Sequence, residues 1–378
     1  MRGLSAALAL VATCAAGMAP NPVSQAPRGA APVPMGVLLS VTAIAADDVW
    51  AVGKDGADDS SLTEHWDGTS WQRFPSPTLG RETSLRAVSA SSADDVWAAG
   101  TWYTGKHYFR SPIVLHWDGS SWTQVQFPAI GLPTSLSHIT ALSRRDVWVV
   151  GTTQSHSIAY HWDGAFWTKT KVKHHANELG YNSLSSIDAV DRDTLWTVGS
   201  YSNSGDKRSP MIQSWQGDHW KLEDPVNPPF AYVWLEDVEA VARAQVWVVG
   251  WGSKRIGSSG FIEQWNGSRW ALMPVRNLPR SSEFEGVGAS SATDAWVVGN
   301  AYEPRGNKAL IAHWNGVSWR VVPTPRVNGH AVRGSLYAVA ALSSSDAWAV
   351  GYDADQDGVS TILLHWDGSS WTLVNADS

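Results

Sequence analysis

A single cysteine, Cys14, stands in the whole chain, so no intramolecular disulfide can form and stability has to come from packing. Positive charge is also scarce. Against 35 Asp and Glu there are 28 Lys and Arg, a formal net charge of −7. The cations gather into no concentrated patch, so a nucleic-acid partner is not expected. Beyond the N-terminus no apolar run is long enough to span a membrane. No phosphate-binding glycine loop and no nucleophile-base constellation is visible either. These absences remove the strongest sequence signals of an enzyme.

Tryptophan is what the chain has in excess, with 24 residues. One series runs Trp50, Trp97, Trp148, Trp196, Trp247, Trp296 and Trp348, commonly as Asp-Val-Trp, two small or apolar residues and Gly. A second runs Trp66, Trp117, Trp162, Trp215, Trp265, Trp314 and Trp366, mostly within His-Trp-Asp-Gly. Each of these has a third Trp five residues on, at Trp71, Trp122, Trp167, Trp220, Trp270, Trp319 and Trp371. Three series of seven mark seven units of roughly fifty residues.

Each unit divides into four strand-like segments, A to D, by apolar alternation and turn punctuation. In the second unit these are Leu85 to Ser91, Val96 to Gly100, Ile113 to Trp117 and Trp122 to Phe127. The C–D link, Asp118-Gly119-Ser120-Ser121, suits a tight hairpin because glycine accepts a positive φ. Four antiparallel strands cannot bury both faces alone, and a ring of stacked units leaves little open edge. The expected fold is all-β, a seven-bladed β-propeller of four-stranded antiparallel blades over residues 37–378. Because the units begin on an A strand and end on a D strand, no blade is shared between the chain ends. The first blade must close on the seventh by packing.

The order strand-Gly, variable loop, aromatic-Asp turn, Trp and then Pro about six residues later resembles the kelch repeat. It departs from that pattern at Val52-Gly53, where kelch units have two glycines, at Trp66 in place of Tyr, and at Asp67-Gly68 in place of Asp-Pro. The chain is thus similar to kelch-like or galactose-oxidase-like propellers of a bacterial secreted type. That resemblance implies fold and not activity. The copper-radical chemistry of galactose oxidase depends on a cysteine cross-linked to tyrosine, and the repeat region has no cysteine.

Residues 1–17 resemble a short secretory signal, with Arg2 ahead of the apolar run Leu4 to Ala16. Residues 18–36 form an Ala/Pro-rich linker. Val11-Ala12-Thr13-Cys14 also loosely resembles a lipobox, which would lipidate Cys14. Both readings place the protein outside the cell, released or attached to its surface, and a monomer is expected. Aspartates such as Asp48, Asp67, Asp118, Asp163 and Asp367 fall in turns, so turn chemistry explains much of the acidic excess.

Function is expected where length varies. The B–C and D–A links differ by several residues between units, and in an up-and-down blade both emerge on one face of the ring. The three Trp outside the repeat, Trp102, Trp234 and Trp251, fall on that face with Tyr103, Tyr108, Phe109, Tyr201, Phe230, Tyr232, Tyr302 and Tyr352. Such aromatics either present flat apolar surface to a sugar or a peptide, or pack between blades. The polar residues early in the A strands, Arg86, His138, Glu236, Asp237, Glu285 and Tyr337, should line the channel entry. There, two glutamates on adjacent blades form either an acid/base pair or a solvated lining.

His65, His116, His161, His313 and His365 occupy one repeat position and read as structural. His174-His175 lacks a third ligand with recognisable spacing. Asp353-Ala354-Asp355-Gln356-Asp357-Gly358 spaces three carboxylates, Asp353, Asp355 and Asp357, as a calcium loop does, although Leu364 stands where an EF-hand has its last glutamate. The segment is either a calcium-binding loop or a plain acidic loop, so no cofactor is fixed by the sequence and calcium is the one it offers. Two functions follow, a non-catalytic module binding glycan or extracellular protein through the aromatic loops, or a glycan-acting hydrolase, lyase or epimerase working at the channel mouth.

Overall fold

A computed structural model gives the structure of the protein over residues 36–374, apart from residues 78, 105–108, 155, 175–179, 204–206, 227, 254–256, 305, 328–329 and 356–357. The expected signal segment, the expected linker up to residue 35 and Cys14 lie outside the described residues. Seven sheets follow one another along the chain, each with four antiparallel strands in sequence order. The fold is the expected seven-bladed propeller, with no helix among the described residues.

Blade 1 shows the pattern, with strand A at Gly36–Ala45, B at Asp48–Asp55, C at Ser61–Trp66 and D at Trp71–Arg73. In blade 2 the A and B strands are longer than apolar alternation suggested, Arg81–Ser92 and Asp95–Thr104, and D is shorter, Trp122–Gln124. The D–A links add small pieces. Val275–Arg276 pairs in parallel with Trp319–Arg320 at the outer edge of blade 6, and Arg326–Val327 pairs with His330–Ala331.

The C–D turns are held by their first residue. Asp118 Oδ1 accepts from Ser120 N at 2.9 Å and Ser121 N at 3.0 Å, while Gly119 takes a φ of 93°. Hydrogen bonds from the Ser120 side chain and these amides pull the Asp118 carboxyl down to about 2. Asp367 is held down to about 2 in the same way. The acidic excess is spent in large part on such turns.

The three Trp series mesh at every blade boundary. Trp50 of blade 1 packs against Trp117 and Trp122 of blade 2, with centroids 4.8 and 5.3 Å away. The edge-to-face arrangement suits the aromatic quadrupole. Trp348 of blade 7 meets Trp66 and Trp71 of blade 1 in the same manner, at 5.1 and 5.2 Å. Closure therefore repeats the ordinary blade-to-blade contact and uses no shared sheet, with Leu38, Val41, Trp71, Trp348 and Leu363 in one buried cluster. The repeat histidines are structural, as expected. His65 Nε2 lies 2.8 Å from Asp48 and its ring packs on Trp50 at 4.4 Å, and His116, His161, His313 and His365 repeat the arrangement.

One irregularity recurs in all seven A strands. Between Leu38 and Ser40 the A–B pairing slips by one residue, so Leu39 is an extra residue with no partner in the ladder. The same β-bulge isolates Arg86, Ser137, Ser185, Glu236, Glu285 and Tyr337. A bulge re-aims the extra side chain and bends its strand. It also explains the invariant glycine of strand B. A Cβ on Gly250 would lie 2.0 Å from the backbone oxygen of Trp234, and one on Gly351 would lie 2.0 Å from that of Ser335.

Candidate channel-mouth site

The seven bulge residues meet in a cavity of about 500 Å³, lined by Arg86, Ser137, Ser185, Glu236, Glu285 and Tyr337, with Leu39 completing the ring. Its floor carries the next residue of several A strands, including Ser40, His138 and Asp237. The bulges sit in the first half of each A strand, so the cavity opens towards the end of the ring from which the variable links emerge. All six polar residues expected at the channel entry line this one cavity.

Two of the six serve the scaffold. Asp237 accepts from Ser186 Oγ of blade 4 at 2.6 Å and from Val287 N of blade 6 at 3.0 Å, which ties three blades together. His138 Nδ1 lies 3.0 Å from Ile187 O. A carbonyl can only accept, so Nδ1 carries the proton. Burial pulls the imidazole's pKa down against the opposing pull of Asp237 and the Ile187 carbonyl. Below it, Asp188 accepts from Ala240 N at 2.8 Å and is pushed up to about 6, by burial first and then by the Asp237 charge.

The other four face the cavity. Burial pushes Glu236 up to about 7, helped by the charges of Glu283 and Asp237 and opposed by the Trp251 indole and Arg208. Glu285 is pushed up to about 8, by burial and then by Glu236 and Glu283. Glu285 therefore keeps a proton up to about pH 8 and Glu236 up to about pH 7, and a protonated carboxyl can donate as well as accept. Burial raises the Tyr337 phenol, with Tyr352 adding to the effect, so it remains a neutral donor. The Arg86 side chain is exposed to the cavity, and its pKa is lowered by desolvation within the channel and by nearby Arg110, against Tyr103 and Tyr337.

Strand parity sorts the loop aromatics. Side chains alternate across a strand, and Trp251 and Tyr352 stand one residue past their strand-B glycine, Tyr103 and Tyr302 three past. These four turn to the mouth. Trp251 stacks on Trp234 at 3.9 Å with an interplanar angle of 16°, and its Nε1 donates to Glu236 Oε1 at 3.1 Å. Tyr352 stacks on Tyr337 at 5.8 Å. Tyr302 OH donates to Glu283 at 2.6 Å, and Tyr103 lies beneath Arg110 at 5.8 Å. Trp102 and Tyr201 stand two past the glycine and pack instead against the buried clusters between blades 1 and 2 and between blades 3 and 4. Phe230 likewise stacks on Phe261 in the core. Tyr108 and His175 lie outside the described residues.

Arg208 had no signal in the Trp repeat. It lies over Tyr181 at 4.9 Å and over Trp234 at 5.3 Å. A shared tripeptide does mark it, since Arg110-Ser111-Pro112 and Arg208-Ser209-Pro210 open the C-strand regions of blades 2 and 4. No group of three or more His, Cys, Asp or Glu fit to hold a metal occurs among the described residues. Of the three carboxylates expected to suit calcium, Asp357 and the side chain of Asp355 lie outside the described residues.

No protein-family model matches the sequence, and no curated relative matches it. Solved structures similar to it include YCF48 bound to D1 peptide, with 16% identity, a TM-score of 0.57, and coverage of 88% of this chain and 92% of that one. An ulvan lyase from a polysaccharide lyase family shares 10% identity at a TM-score of 0.61, over 91% of this chain and 96% of that one. The GH74 xyloglucanase from Xanthomonas campestris shares 12% identity at 0.56, over 88% of this chain and 55% of that one. At these identities the likeness is one of fold. The kelch-like subtype gains no separate support from it.

Proposed function

We propose that this propeller is an extracellular carbohydrate-binding module whose ligand seats in the channel mouth. The observation that carries the reading is the contact between the two residue sets at the edge of the cavity, where Trp251 bonds the lining Glu236 and Tyr352 stacks on the lining Tyr337. Polar side chains from the bulges stand beside a stacked indole pair whose Nε1 is bonded to a lining carboxyl. Sugar rings need that combination, apolar surface for their C–H faces and short donors and acceptors for their hydroxyls. Carboxyls that hold a proton up to about pH 7 and about pH 8, a phenol and serines supply both kinds of partner. Similar propellers that bind or act on polysaccharide make the class reasonable, and YCF48, bound to a peptide, marks the competing one.

The test is a glycan array followed by calorimetry on the best ligand. Trp251→Ala should weaken binding by tenfold or more, while Trp102→Ala should leave it within twofold. Equal effects of the two substitutions would refute the channel-mouth assignment. A second reading, a glycan-acting enzyme, is favoured by Glu236 and Glu285 alone, which stand on adjacent blades and are pushed up to about 7 and about 8, within reach of general acid work. Full activity in both Glu236→Gln and Glu285→Gln, on any substrate found to be turned over, would end it.

A further inference from the structure

Three guanidinium groups stand at the channel mouth, and among the described residues none of them makes an ion pair. Arg86 lines the cavity itself. Arg110 lies over Tyr103 and Arg208 over Tyr181 and Trp234. Elsewhere Arg73, Arg144 and Arg243 are paired with Asp55, Asp94 and Asp191. Arg145, Arg192, Arg269, Arg276, Arg280 and Arg320 make no ion pair among the described residues either. What sets the three at the mouth apart is their place, since Arg86 lines the cavity, Arg110 lies near enough to Arg86 to disfavour its charge, and Arg208 near enough to Glu236 to oppose its rise.

Their neighbours match. Glu236 is occupied by the Trp251 N–H and Glu285 by no ion pair among the described residues. Glu285 keeps its proton up to about pH 8 and Glu236 up to about pH 7, so below pH 7 an anion seated beside them meets hydrogen-bond donors in place of two like charges. The fork of Arg86 offers parallel N–H groups to a planar or tetrahedral oxyanion.

We infer that the ligand at this site is an acidic saccharide, whose carboxylate or sulfate group is received by Arg86 while its ring lies against the aromatic rim. This rests on the carbohydrate reading above and narrows it to a substrate class.

Calorimetry with three probes tests it, a hexuronate oligosaccharide, the same oligosaccharide with its carboxyls methyl-esterified, and a sulfated oligosaccharide of neutral sugars. At least one charged probe should bind the wild type tenfold or more tighter than the ester, with affinity falling as salt is raised. The better of the two charged probes identifies the group. Arg86→Ser should bring the charged probe down to the level of the ester, and serine is an occupant the bulge accepts, as at Ser137 and Ser185. An unchanged melting temperature confirms that this variant folds, and Arg86→Lys, which keeps the charge without the fork, should bind at an intermediate level. Equal affinity for ester and charged probes would overturn the acidic-ligand inference and leave the carbohydrate reading standing. Binding of none of the three, alongside a blank glycan array, would overturn both.

Discussion

At Gly250 one hydrogen atom stands where other residues carry a carbon. A Cβ there would meet the Trp234 oxygen at 2.0 Å and the Leu235 Cα at 3.0 Å. Both are backbone atoms and cannot swing aside. Gly250→Ala should therefore cost about 3 kcal/mol in denaturant unfolding and displace Glu236, whereas Glu236→Gln, on an unpaired bulge, should fold with near-native stability. Glu263 is a different buried acid, away from the channel. Its Oε2 accepts from Val226 N at 3.1 Å, Oε1 has no hydrogen-bond partner, and burial raises it from 4.5 to about 8. Its folded pKa lies above its unfolded one, so its contribution to stability is full below pH 4.5 and is lost as the pH rises to about 8. The slope is at most about 1.4 kcal/mol per pH unit. Blade 4 has Gln213 at the equivalent position, accepting from Lys173 N at 2.8 Å and donating to Lys173 O at 3.2 Å. Glu263→Gln should accordingly flatten the fall in stability between pH 5 and 8 and stabilise the protein at the upper end, as read by urea titrations across that range.

At the scale of strands, the contrast between Trp102 and Trp251 is one of parity. Trp102 fills a boundary between blades, so Trp102→Ala should cost about 3 kcal/mol of stability through the cavity left behind, with ligand binding unchanged. Strand order, turn chemistry and blade count were legible in the sequence because each repeats seven times and each has a local cause, such as the Asp-Gly hairpin and the meshing Trp series. The channel residues were legible because they alone vary within a constant apolar frame. The bulge was not, since pairing register is a property of two strands and the extra residue leaves no mark on either one. The scaffold role of Asp237 was hidden for a similar reason, as its partners Ser186 and Val287 belong to other blades. Arg208 was missed because it departs from no repeat position, and only its likeness to Arg110 betrays it.

For the whole ring, closure by packing alone sets the order of failure. The boundary between blades 7 and 1 resembles the other six in its Trp contacts, but the chain does not cross it. Trp348→Ala removes the buried ring that meets Trp66 and Trp71, at a cost of about 3–5 kcal/mol. The equivalent Trp148→Ala at the boundary of blades 3 and 4 leaves the two blades tethered by their link. Hydrogen exchange followed by mass spectrometry should show blades 1 and 7 losing protection ahead of blades 3 and 4 in Trp348→Ala. Uniform loss in both variants would mean that the ring opens as one cooperative unit.

The seven bulges carry a consequence for descent. A residue that pairs with nothing can be exchanged without altering register, core or neighbouring blade, and here seven such residues face a common centre. Leucine, arginine, serine, glutamate and tyrosine already occupy these positions within a single chain. Lineages carrying this fold can thus acquire a new ligand by single-codon changes at the bulges, each tried separately and none requiring the protein to refold.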